Sequence, residues 1–148
     1  MISRRTFIKS TAVVAGSGAM AQCLSTLIGC APSARTITVP AVNNKIVLML
    51  SELPELADPG SYVKIMVHQH PHPIYIFSIQ NEYVAILSTC THNGCEVRKL
   101  RGGFECPCHS SEYDLWGNVK GGPAPAPLER FNVERVGDRL EFFLEGTT

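Results

Sequence analysis

Four cysteines and two histidines crowd into one short stretch of the chain. Cys90, Cys95, Cys106 and Cys108 fall within nineteen positions, interleaved with His92 and His109. They form two boxes, Cys90-Thr91-His92-Asn93-Gly94-Cys95 and Cys106-Pro107-Cys108-His109-Ser110-Ser111. The pattern is Cys-x-His, a gap of thirteen residues, then Cys-x-x-His. Thiolates suit iron in a sulfide-bridged cluster, and imidazole suits iron as well. Zinc also takes two Cys and two His. The spacing therefore points to a metal centre, redox-active with iron or structural with zinc. Elsewhere the chain shows no nucleophile–base pair and no phosphate-binding loop.

The two boxes together resemble the ligand pattern of the Rieske iron–sulfur proteins. The resemblance implies a [2Fe–2S] cluster, with Cys90 and Cys106 on one iron and His92 and His109 on the other. Neutral imidazoles in place of two thiolates remove negative charge from that iron, which raises the reduction potential. Cys95 and Cys108 stand where quinol-oxidising Rieske proteins carry a disulfide between the two loops. Ser111 and Tyr113 stand where hydroxyls of high-potential members donate to a bridging sulfide and a cysteine sulfur, stabilising the extra electron. With both present, the resemblance implies the upper Rieske range, which reaches about +300 mV. Gly122-Pro123-Ala124-Pro125-Ala126-Pro127-Leu128 resembles the family's proline loop, which covers one side of the cluster; a rigid surface linker is the plainer reading. A zinc site leaves Cys95, Cys108, Ser111 and Tyr113 unexplained as a set. The chain departs from the family at Asn93, usually Leu in quinol-oxidising members, at Ser110, usually Gly, and in its shorter gap.

The elements that must position these boxes read as short strands. Apolar or alternating runs cover Ile46 to Leu50, Tyr62 to Val67, Ile74 to Ile79, Tyr83 to Leu87, Phe131 to Val136 and Leu140 to Leu144. Turn residues separate them, among them Gln80-Asn81 and Gly137-Asp138, which argues for an all-β sandwich or barrel. Ser51 to Leu56 is expected to form one helical turn with Ser51 as its cap. The resemblance, over about residues 40–148, implies a Rieske-type antiparallel β sandwich with a small cluster-binding subdomain. A chain of 148 residues suits one such domain. Its 45% hydrophobic and 18% charged residues are ordinary for a globular chain and argue against disorder.

Charge is distributed unevenly. The first 29 residues carry Arg4, Arg5 and Lys9 and no acid, so the remainder has ten basic and thirteen acidic residues. That mildly acidic body has no electrostatic footprint for nucleic acid. Ser3-Arg4-Arg5-Thr6-Phe7-Ile8-Lys9 resembles a twin-arginine export signal, and a weakly apolar stretch follows from Thr11 to Ile28. Leu27-Ile28-Gly29-Cys30 resembles a lipobox, which implies lipidation at Cys30. The competing reading keeps residues 10–29 as a transmembrane anchor. The stretch is near the minimum length of about 20 residues. Its shortage of Leu, Ile and Phe and its polar dilution favour the lipid. The expected organisation is a signal or anchor over 1–29, a tether over 30–40 and the cluster domain over 41–148. Either anchor leaves the domain outside the cytoplasm and tethered to the membrane.

Weaker signals remain. His68, His70 and His72 alternate, as metal-chelating residues on one strand face would. Pro71 and Pro73 disrupt a strand, so an exposed loop is the expectation. Arg98, Lys99 and Arg101 read as a solvated turn or a docking patch for an acidic partner. Trp116 reads as packing. The resemblance implies a one-electron carrier, leading with a subunit of a membrane-associated, quinol-oxidising cytochrome bc-type complex that passes electrons to a cytochrome. The second reading is a lipid-anchored carrier for another redox enzyme, such as a molybdenum enzyme resembling arsenite oxidase. The third is a zinc-stabilised binding domain.

Overall fold

The computed structural model describes residues 34–58, 60–68 and 70–145. The expected export signal, the anchor, the lipobox at Cys30 and the first residues of the tether lie outside the described residues. Among the described residues, no helix is long and apolar enough to cross a membrane.

The strands run in chain order as β1 (Arg35–Thr38), β2 (Lys45–Met49), β3 (Tyr62–Met66), β4 (Ile74–Ile79), β5 (Glu82–Leu87), β6 (Arg98–Leu100), β7 (Gly103–Glu105), β8 (Glu112–Tyr113), β9 (Val119–Gly121), β10 (Arg130–Phe131), β11 (Glu134–Val136) and β12 (Arg139–Phe143). They build a five-stranded sheet in the order β1-β3-β4-β5-β10, a three-stranded sheet β11-β12-β2 and a four-stranded sheet β6-β7-β8-β9. Pairing is antiparallel throughout except for β1, which runs parallel to β3.

The central sheet serves two cores. Ile74, Ile76, Ala85 and Leu87 join Ile46, Leu48, Leu140 and Phe142 of the three-stranded sheet in one buried cluster. The alternate residues Tyr75, Phe77, Val84 and Ile86 join Cys90, Val97, Phe104, Cys106 and Tyr113 in the other. Successive strand side chains point to opposite faces. A strand covered on both faces must be apolar at every position. That is why Ile74 to Phe77 and Val84 to Leu87 read as unbroken apolar runs. At about 1.5–3 kcal/mol for each large apolar side chain buried, this two-sided burial is the main force holding the four-stranded sheet to the rest.

The β4–β5 hairpin turns at Gln80 and Asn81, both with positive φ (48° and 72°), as a two-residue turn between antiparallel strands requires. Three details differ from the sequence reading. The expected strand Phe131 to Val136 is two strands in two sheets: β10 pairs with β5, and β11 pairs with β12. The expected capped helical turn is a pair of 3₁₀ turns, Leu50–Glu52 and Pro54–Ala57, with no side-chain cap. Pro54 lacks an N–H and disfavours helical backbone at Leu53, so one continuous helix cannot form. Residues 35–38 of the expected tether are β1, in register from Arg35↔Val63 to Thr38↔Met66.

Candidate metal centre

Each box folds into the same small loop. In the first, Cys90 N–H donates to the Cys95 carbonyl (2.8 Å) and Gly94 N–H donates back to the Cys90 carbonyl (2.9 Å). In the second, Cys106 N–H donates to the Ser111 carbonyl (2.8 Å) and Ser110 N–H donates back to the Cys106 carbonyl (3.0 Å). The fifth residue of each loop is left-handed, Gly94 at φ 74° and Ser110 at φ 55°. The first loop leaves β5 and the second links β7 to β8, so the central sheet and the four-stranded sheet each present one.

The repeat brings the donors together. Cys90 and Cys106 are buried free thiols at the loop starts. The His92 and His109 rings are exposed and meet edge to face, with centroids 4.7 Å apart. Cys95 and Cys108 form a disulfide between the loops. The sulfurs of Cys95, Cys106 and Cys108 lie within 4.8 Å of one another. Two of these are bonded together, which leaves Cys106 as the thiol of that trio.

Hydroxyls account for their protons unevenly. Thr91 Oγ1–H donates to the Ala126 carbonyl (2.6 Å), tying the first loop to the proline loop. The Tyr113 oxygen accepts from Thr91 N–H (3.4 Å). Its one proton is then available to Cys90 Sγ (3.3 Å) or Thr91 Oγ1 (3.3 Å). Burial pushes the Cys90 thiol up, but hydrogen bonds from Tyr113, the His92 N–H, Cys106 and the Asn93 N–H outweigh it, so the thiol sits below its ordinary value. Tyr113 is correspondingly pushed up, by burial first and then by its bond to Cys90. The arrangement favours a thiolate at Cys90, the form that binds metal.

Further residues brace the loops without a sequence motif to announce them. Asp114 Oδ1 accepts from Trp116 N–H (2.8 Å) and Asn118 N–H (2.9 Å), closing the turn that follows Tyr113. Burial opposes its ionisation, but these bonds and one from the Asn118 amide hold its carboxyl below the usual value. Asp-x-x-x-Asn could have suggested this turn in the sequence. Gly122 has φ 85°, and a Cβ there would stand 2.6 Å from Ser111 Cα, so the proline loop packs backbone to backbone on the second loop. The single Tyr75 proton goes to the Val97 carbonyl (3.0 Å) or to the Glu96 carboxylate (3.4 Å), and Glu96 also pairs with Lys64 (3.5 Å).

The weaker sequence signals disperse. The three alternating histidines form no joint site among the described residues: His70 packs near Phe131, with centroids 6.1 Å apart, whereas His72 reaches the first loop. Arg98 and Arg101 are exposed, but Lys99 folds back over Phe77 and Phe104 (4.8 and 5.4 Å to the ring centroids). Its ammonium is pushed down to about 8 by burial, so the three cations are not one patch. Trp116 packs against the second core beneath the Arg130 guanidinium.

Residues 45–132 match the family model described as the Rieske [2Fe-2S] domain. The chain is 44% identical over 62 residues to the mitochondrial Rieske subunit of the cytochrome b-c1 complex of Gallus gallus, covering 40% of this chain and 23% of that one. It is 37% identical over 70 residues to a carotenoid phi-ring synthase of Chlorobaculum tepidum, covering 46% of this chain and 11% of that one. The chain thus spans less than a quarter of the length of these curated relatives. The crystal structure of a plasma membrane Rieske protein from Synechocystis PCC 6803 superposes with a TM-score of 0.52 at 29% identity, covering 61% of this chain and 92% of that one.

Ser111 tests whether the residues present fit the family's cluster. Its Oγ is buried and has no hydrogen-bond partner. A buried hydroxyl left unpaired costs about 1–3 kcal/mol. A bridging sulfide of a [2Fe–2S] cluster would supply the missing acceptor. The match to the Rieske [2Fe-2S] domain over residues 45–132 is what sets the zinc-stabilised domain aside. Two buried thiols, two converging imidazoles, a disulfide between their loops and the family match agree: this chain belongs to the Rieske [2Fe–2S] domain family.

Proposed function

We propose that this protein is a one-electron carrier whose cluster is held by Cys90 and Cys106 on one iron and by His92 and His109 on the other. The carrying observation is the convergence of two buried, unbridged thiols with two exposed imidazoles on twin loops. When bound, the cluster supplies a one-electron couple at elevated potential. The chain does the rest. Tyr113 directs its hydroxyl at Cys90 Sγ, and Ser111 keeps a buried donor free. The disulfide clamps the loops, and His92 and His109 offer their edges to a partner. Electron paramagnetic resonance of the reduced protein tests this: a [2Fe–2S] signal with nitrogen hyperfine coupling is expected, lost in Cys106→Ser. A silent reduced protein with full iron occupancy overturns it.

The whole assembly is also a proposal. The leading reading is a subunit of a membrane-bound, quinol-oxidising complex passing electrons to a cytochrome, supported by the similarity to Rieske subunits of cytochrome b-c1 complexes. The domain is held on the outer side of the membrane through its N-terminus, with residues 1–29 as export signal and Cys30 lipidated. The exposed polar Asn93, next to His92, favours a second reading, a lipid-anchored carrier serving another redox enzyme. Quinol-dependent reduction of a cytochrome by native membranes, abolished by deletion of this chain, separates the two. Mass spectrometry of the mature N-terminus tests Cys30.

A further inference from the structure

The alternating histidines yield one residue with an unassigned role. His72 Nε2 lies 2.8 Å from the Gly94 carbonyl, 22 residues away and inside the first loop. A carbonyl only accepts, so His72 donates from Nε2. Gly94 is the loop's left-handed residue, and its own N–H closes the turn onto Cys90. The bond therefore grips the point at which the His92-Asn93-Gly94 turn reverses.

The mount behind His72 is stiff. Pro71 and Pro73 flank it, which restricts the backbone on both sides. The Pro73 carbonyl accepts from both the N–H and the Oγ–H of Ser88 (3.0 and 2.7 Å), and Ser88 is fully buried. Ser88 in turn accepts from Val97 N–H at the exit of the same loop (2.8 Å). His72 thus stands on a pedestal bonded to the base of the loop whose tip it holds.

We propose that His72 is a positioning residue of the metal centre, its Nε2–H donor setting the pose of the exposed turn that carries His92. The proposal rests on the electron-transfer reading of the same site. Two substitutions separate donor from ring. His72→Phe keeps the ring and loses the donor, and His72→Gln keeps a donor at about the same reach and loses the ring. His72→Ala repeats the loss of the donor without added bulk.

Hydrogen exchange of the segment 88–97 in the cluster-loaded protein is the primary readout, with the line shape of the reduced-state resonance beside it. A hydrogen bond of ordinary net strength implies about five-fold faster opening in His72→Phe and His72→Ala, with His72→Gln near wild type. The resonance line shape is expected to change in the same two variants and not in His72→Gln. Unchanged exchange in His72→Phe and His72→Ala overturns the proposal, as does an equal loss in His72→Gln, which would show that a donor at this reach does not hold the loop. The wild-type resonance reports separately on the cluster itself, so failure of the electron-transfer reading is distinguishable.

Discussion

The two Cys/His loops share one backbone scheme but are held in place by different means. The first is fastened by side chains on and beside the central sheet: His72 at Gly94, Lys64 at Glu96, Tyr75 at Val97 or Glu96, and Ser88 at its base. The second is strapped to the first by the Cys95–Cys108 disulfide and packed from its own side by the close approach of Gly122. They also differ at the fifth position, where the first uses Gly94 and the second uses Ser110. A non-glycine residue in that conformation costs about 1–2 kcal/mol. The difference teaches that the first loop is an extension of the folded core, whereas the second is a cap strapped onto it.

That contrast can be broken most sharply at Gly122. A Cβ at this position meets the Ser111 Cα at 2.6 Å and the Ser110 carbonyl at 2.7 Å, and neither can yield without moving backbone. Overpacking together with the left-handed backbone gives an expected loss of about 3–4 kcal/mol for Gly122→Ala. Chemical denaturation measures it, and exchange should rise at residues 106–111 and not at 90–95.

Next in size is the disulfide. Its partners are 13 residues apart, and closing such a loop is worth about 3 kcal/mol in the chain-entropy account. The double variant Cys95→Ser/Cys108→Ser is expected to lose that much, with the second loop opening before the first. Equal loosening of both loops would erase the distinction between core and cap.

Tyr113→Phe probes the contact that joins the two sides. It removes the hydroxyl 3.3 Å from Cys90 Sγ and leaves the buried ring in place. One hydrogen bond of about 1 kcal/mol to the reduced form corresponds to about 40 mV for a single electron, so the midpoint potential should fall by that amount. Protein-film voltammetry reads it directly.

The smallest effect is expected at the fifth position. Ser110→Gly relieves about 1–2 kcal/mol of local strain but restores about 0.4–1 kcal/mol of freedom to the unfolded chain, a net gain of about 0.5–1 kcal/mol. Gly94→Ser runs the exchange in reverse. No atom lies within 4 Å of a Cβ there, so only the backbone conformation is penalised. Opposite signs in thermal melts of the two variants would sharpen the comparison; equal signs would break it.

Much of this site was legible in the sequence, and for a clear reason. The donor types and their spacing are local properties, and Cys-x-His with Cys-x-x-His needs no fold to be recognised. The pairing of Cys95 with Cys108 and the positions of Ser111 and Tyr113 followed from resemblance. The strands with long apolar runs were legible too, because burial on both faces writes itself into composition. The strands of the four-stranded sheet were not, since two or three residues each hold no period to detect.

What the sequence by itself determined, then, is the two Cys/His boxes, the all-β character and the family resemblance. Only the tertiary structure decided that β1 runs parallel to β3, that one apolar run divides between two sheets, that Lys99 turns inward, and that His72 bonds to the first loop. Each of these depends on which distant segment supplies the partner. His72 and Gly94 are 22 residues apart, and no local rule of spacing or propensity encodes a bond between them.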